Sequence, residues 1–204
     1  MGFVFCAFNN SYKITPVMFD LWMRLLQAID GSVLWLTDGL NSAVAPNLRR
    51  EAERRGVAAH RLVFAPRVPY REYLANYQLA DLFLDTLPFN GCTTASDALW
   101  SGLPLVTVSG ETFVSRMAGS LLHGVGLAEL VTGSLADYEA LARRLAQEPE
   151  FLAAVRARLR HNRVTSGVFD AGRFCRHLEA AYEVMWQRQR HGEPPASFAV
   201  VPQR

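Results

Sequence analysis

The sequence predicts an α/β fold: a Rossmann-like parallel sheet of about six strands, helices on both faces, and a helical C-terminal segment. Three observations carry that prediction. Short continuous apolar runs alternate with longer stretches of helical periodicity, as in repeated βα units. The runs are too unbroken for a sheet with one wet face, so both faces are expected to be covered. Glycine or proline stands at many of the junctions, where chain direction must change.

Taken in order, Phe3 to Phe8 (FVFCAF) is the first doubly buried strand. Pro16 suits the first turn of a helix, and the periodicity that follows stops at Asp30-Gly31. Ser32 to Thr37 is the second strand, Asn47 to Arg55 a helix ended by Gly56, and RLVFA the third strand. A short helix over Arg71 to Gln78 leads to the fourth strand, Asp81 to Thr86. After the Pro-Phe-Asn-Gly loop at 88–91, a helix runs from about Thr93 to Ser101 and is stopped by Gly102. Leu105 to Val108 is the fifth strand. Gly110 to Thr112 opens another helix, and GLAELV supplies the sixth strand. Ser134, with Asp137 three residues on, reads as a capped helix start. Helices follow over Tyr138 to Gln147, Glu150 to Val164 and Gly172 to Arg190. Residues 1–190 are expected to form one domain and the proline-broken stretch 191–204 a flexible tail.

Composition narrows the function. Half of the 204 residues are hydrophobic and a fifth are charged, a globular balance. A net charge of +2 argues against a strongly electrostatic grip on nucleic acid or membrane. No apolar run reaches a membrane-spanning length and the start carries no basic signal region, so a cytoplasmic setting is expected. Three cysteines without a C-x-x-C pair indicate neither a disulfide framework nor a zinc ribbon, and five scattered histidines fit no zinc spacing.

Ligands of open parallel sheets bind at the carboxyl ends of the strands, which directs attention to two loops. Phe8 to Lys13 turns polar directly after the first strand and carries the sole lysine. An ammonium is a compact charge suited to phosphate. The same residues equally suit a plain loop whose Asn and Ser satisfy backbone groups. The second loop, Asn90 to Asp97, ends at a Thr-Thr helix start whose free N–H groups and dipole suit an anion. Asp97 lies one turn beyond Thr93, where a carboxylate can accept ribose hydroxyls. Ordinary capping by threonine explains that pattern as well. Asp85 ends its strand, with a structural role in bonding loop amides. Tyr12, Tyr70 and Tyr73 could stack on a base or serve as core and rim. The dinucleotide, P-loop and hydrolase-elbow motifs are absent.

The series FNNSYKITP, SVLWL, RLVF, QLADLFLDT, PFNGCTTASDALWSGLPLVT, SGETFVSRMAGSLL and GLAELV resembles, in order and spacing, the C-terminal catalytic half of the protein O-GlcNAc transferase and SPINDLY family. The resemblance runs from about Phe3 to Trp186. It implies a GT-B glycosyltransferase whose C-terminal domain holds a nucleotide sugar without metal or other cofactor, UDP-N-acetylglucosamine before GDP-fucose. By resemblance Lys13 stabilises the leaving diphosphate, Asn10 stands near the phosphates, and Thr93 and Thr94 bind the diphosphate. Asp97 takes the ribose, and the main chain of Val68 faces the base. Two residues depart from the family pattern. Tyr73 stands where the family has a base-packing histidine, and Cys92 replaces the histidine of a His-Thr-Thr motif. The resemblance also implies partners: an N-terminal catalytic domain, without which turnover is not expected, and a protein acceptor. The two departures leave open a non-catalytic module that scaffolds a partner. An epimerase of the same architecture ranks last, because loop 88–97 offers a single carboxylate, Asp97.

Overall fold

The structure, a computed structural model, describes residues 2–38 and 41–201. Strands β1 (Val4–Ala7), β2 (Val33–Thr37), β3 (Leu62–Ala65), β4 (Leu82–Leu84), β5 (Leu105–Val108) and β6 (Val131–Thr132) form one parallel sheet. Their order across it is β3-β2-β1-β4-β5-β6. In the centre, Cys6 of β1 faces Trp35 of β2 on one side and Phe83 of β4 on the other. Every residue of β4 and β5 is buried, as the unbroken apolar runs require of a sheet covered on both faces. Each Leu or Phe fully buried there contributes about 1.5–3 kcal/mol.

The chain leaves β1 toward β2 and β3, then returns to lie on the other side of β1 as β4 and continues outward. With right-handed crossovers, that reversal sends the helices of the two halves to opposite faces. It also opens a crevice where the loops after β1 and β4 diverge. Helix α1 (Pro16–Ala28) starts as predicted: Pro16 sits in its first turn, and the hydroxyl of Thr15 accepts the Met18 N–H at 3.3 Å. It buries Met18, Phe19, Trp22, Leu25 and Leu26 and packs against α6 (Leu135–Gln147). Gly31, at φ +68°, takes the left-handed turn that releases the chain into β2. At α6 the hydroxyl of Ser134 accepts the Asp137 N–H at 3.0 Å and donates to the Asp137 carboxylate at 2.6 Å, so the predicted cap forms.

Several boundaries differ from the sequence reading, each for a local reason. Helix α2 (Val44–Arg54) begins three residues earlier than predicted, because Pro46 falls in its first turn, where a missing N–H has no partner to lose. Helix α3 is Tyr70–Asn76 and tightens into a 3-10 turn at Tyr77–Leu79. The Gly110 to Thr112 segment does not open a helix directly. Thr112 and Ser115 cap a 3-10 turn at Phe113–Ser115, and α5 (Met117–Gly124) starts after it. The sixth strand is only two residues long, preceded by a 3-10 turn at Ala128–Leu130. Helix α4 (Thr93–Trp100) lies close to prediction and ends into Gly102 at φ +86°. Helices α7 (Pro149–Thr165) and α8 (Ala171–Arg190) complete the chain, and α8 buries no residue. Residues 193–201 form neither helix nor strand, although the Arg188 guanidinium donates to the Pro194 carbonyl at 3.0 Å. The end of the predicted tail, 202–204, lies outside the described residues, as do Met1, Gly39 and Leu40. Among the described residues no helix is long and apolar enough to cross a membrane.

Candidate functional site

The two loops singled out in the sequence meet at the crevice. After β1 the chain makes a 3-10 turn at Ser11–Lys13, which carries the lysine back across the end of β4. Lys13 Nζ donates to the Asn90 carbonyl at 2.8 Å and lies 4.0 Å from the centre of the Phe89 ring. The ammonium is therefore held two residues before the residue that precedes α4. Partial burial lowers its pKa from the usual lysine range, and the nearby charge of Asp85 opposes that shift.

Asp85 organises the loop beneath. It is 1% exposed and accepts hydrogen bonds from the Gly91 N–H at 2.6 Å, the Thr107 hydroxyl at 2.7 Å and the Asn9 amide at 3.4 Å. Burial raises its pKa to about 6, and those hydrogen bonds hold it below what burial alone would produce. Its structural reading in the sequence is thus the one the contacts bear out. Asn9, also buried, donates to Thr86 at 3.0 Å and accepts from the Thr94 hydroxyl at 2.5 Å. A side chain at the end of β1 therefore fixes the first turn of α4. Gly91 is required by close approach: a Cβ there would lie 2.7 Å from Thr94 Oγ1 and 3.2 Å from the Ala95 nitrogen. The bond from Leu87 to Pro88 in this loop is cis.

The capping expectation needs correction. Cys92, not a threonine, is the residue preceding α4, and it makes no side-chain cap. Thr93 is the first helical residue and is exposed. Thr94 spends its hydroxyl proton inward on Asn9 rather than on the helix end. The N–H groups of the first turn of α4 thus open toward the crevice without a side-chain cap, beside the Lys13 ammonium.

A cavity of about 510 Å3 lies beside this mouth, over the carboxyl ends of β1, β2 and β3. Asn10, Val68 and Tyr73 all line it, together with Phe8, Thr37, Asp38 and Arg67. Lys13, Cys92, Thr93, Thr94 and Asp97 are not among its lining residues and stand at the mouth next door. Tyrosines join the two parts. Tyr70 and Tyr73 stack with ring centres 6.2 Å apart, and the Tyr70 hydroxyl donates to Asp97 Oδ1 at 2.8 Å. The hydroxyls of Tyr73 and Tyr77 touch, and Tyr77 donates to the Thr94 carbonyl at 3.2 Å. Burial pushes the Tyr73 phenol up to about 12, and Asp97 is raised by burial while the Tyr70 hydrogen bond partly offsets this. Tyr12 instead packs edge-on against Phe89.

Sequence reasoning therefore named Lys13 and Asp97 at the mouth and Asp85 beneath it, but missed the Asn9 and tyrosine contacts that join them. Asn9 was legible as the first polar residue after β1. The Tyr70 contact with Asp97 had no signal, because it joins residues 27 apart across two helices.

Residues 2–178 match the profile of Glycosyl transferase family 41. The chain belongs to that family. This family 41 chain is 37% identical over 191 residues to a Caenorhabditis elegans UDP-N-acetylglucosamine–peptide N-acetylglucosaminyltransferase, covering 94% of the chain and 16% of the relative. It is 34% identical over 200 residues to a probable enzyme of the same name from Arabidopsis thaliana, covering 98% and 20%. Among solved structures, a mutant O-GlcNAc transferase from Thermobaculum terrenum matches with a TM-score of 0.85 and 37% identity, over 91% of the chain and 36% of its own. An Anabaena protein solved in complex with UDP shares the fold alone, with a TM-score of 0.59 and 16% identity over 81% of this chain and 44% of its own. The chain spans about a fifth or less of the length of these two curated relatives.

Proposed function

We propose that this chain forms the nucleotide-sugar-binding domain of a protein O-glycosyltransferase, with UDP-N-acetylglucosamine as donor. The observation that carries the reading is the meeting of Lys13 with the uncapped mouth of α4 at the switch point of the sheet. The cavity beside the mouth has the size and the mixed apolar and polar walls of a nucleoside site. In this reading the base lies against Tyr73 and the main chain near Val68. Asp97 accepts from the ribose, and Asn10, Thr93 and Thr94 flank the diphosphate. The curated relatives' names support uridine diphosphate and the N-acetylglucosaminyl group.

The chemistry follows from charge. As the bond from sugar to phosphate breaks, negative charge grows on the distal phosphate. A fixed ammonium and fixed N–H dipoles stabilise that charge without reorganising, and more strongly in the transition state than in the ground state. Lys13 is the catalytic residue in this account. The buried Asp85 and Asn9 network keeps the N–H groups aimed. Acceptor binding and proton removal fall to an N-terminal catalytic domain of the whole enzyme, acting on a Ser or Thr hydroxyl of a protein. Cys92, in place of histidine, supplies a weaker donor at the mouth.

Titration calorimetry with UDP and with uridine tests the reading. UDP is expected to bind and uridine to bind far more weakly, since the diphosphate supplies the charged contacts. A folded protein giving no heat with UDP at millimolar concentration overturns it.

A further inference from the structure

Tyr70 is 61% exposed, yet its hydroxyl is committed to a carboxylate that is 8% exposed. Pro69 precedes α3, and Tyr70 is its first residue. The Tyr70 ring stacks on Tyr73, which lines the cavity. Of the two Asp97 oxygens, Oδ1 takes the Tyr70 hydrogen bond, and no hydrogen bond reaches Oδ2 from the described residues. Burial disfavours the charged form of this carboxylate, so a donor on one oxygen is what keeps the other a good acceptor.

We propose that Tyr70 is a positioning residue for ribose recognition: its hydroxyl fixes Asp97 Oδ1 and thereby presents Oδ2 to the sugar hydroxyls of the nucleotide. This rests on the nucleotide reading of the site. It goes further by assigning discrimination between ribose and its deoxy forms to a residue on α3 that touches the carboxylate rather than the phosphates.

The test compares UDP with 2′,3′-dideoxy-UDP on the wild-type chain and on Tyr70→Phe, which keeps the stacked ring and removes the hydroxyl. The wild type is expected to prefer UDP. In Tyr70→Phe that preference falls about 10-fold or more, the scale of one hydrogen bond to a charged group, while dideoxy-UDP affinity stays unchanged. Equal weakening of both ligands overturns the proposal, since that is what a merely structural role gives. A preference that survives, or UDP that binds more tightly because Tyr70 had been blocking Asp97, also overturns it. A wild-type chain that binds neither nucleotide removes the nucleotide reading itself, a result distinct from binding without a Tyr70 effect.

Discussion

Replacing Asp85 with asparagine separates the charge of the buried carboxylate from its shape. The pKa of Asp85 rises from 3.8 to about 6 in the folded chain. The folded state therefore holds this proton more tightly than the unfolded state. Stability from this group is fully present below about pH 3.8 and is lost as pH rises through about 6. At about 1.4 kcal/mol per pH unit, that gap corresponds to about 3 kcal/mol between acid and neutral conditions. Asparagine does not titrate. Its oxygen can still accept from the Gly91 N–H, and the Thr107 hydroxyl can rotate to accept from the new amide. Urea denaturation of both proteins at intervals from pH 3.5 to 7.5 gives the difference in stability as a function of pH. The wild type should lose about 3 kcal/mol relative to Asp85→Asn across this range, most of it between about pH 4 and 6. A difference that does not change with pH would refute the claim that burial raises the pKa of Asp85.

Two further substitutions test the scaffold around that carboxylate. Gly91→Ala puts a Cβ 2.7 Å from Thr94 Oγ1 and 3.2 Å from Asn9 Oδ1, and should cost about 1–3 kcal/mol by urea denaturation while weakening UDP in calorimetry. Unchanged stability and affinity would mean that the mouth is looser than its contacts imply. Tyr138→Phe removes the hydroxyl that donates to the Asp85 carbonyl at 3.0 Å and accepts from Trp22 Nε1 at 3.4 Å. With both partners left buried, a loss of about 1–3 kcal/mol is expected, and a thermal scan with no shift in Tm would contradict it.

How much of this was legible beforehand depends on the kind of information involved. The strands were readable because a sheet covered on both faces demands continuous apolar runs, and β4 and β5 supply them. The start of α1 was readable because Pro16 and Thr15 act locally. Boundaries slipped where a 3-10 turn absorbed residues, as at Phe113–Ser115, since such turns carry no periodicity of their own. At the site, Lys13, Thr93 and Asp97 were visible because charge and helix starts are local features. Their meeting was implied by the family resemblance and not by any local feature, because it depends on strand order: Lys13 follows β1 and its Asn90 partner follows β4, 77 residues away. For Cys92 the sequence favoured a buried small residue, whereas it is exposed, and the capping reading placed a threonine where Cys92 stands. Local propensity favours a threonine cap, whereas Asn9 draws the Thr94 hydroxyl inward.

The most direct measurement is a pair of calorimetric titrations, UDP and UMP, on the wild-type chain and on Lys13→Met. A lysine aimed at the distal phosphate predicts that the wild type prefers UDP. It also predicts that the substitution reduces that preference by about 10-fold or more, as for a lost hydrogen bond between charged groups, with UMP little affected. If UDP and UMP weaken together, or if the preference for UDP persists without the amine, then Lys13 and the mouth of α4 do not hold a diphosphate between them.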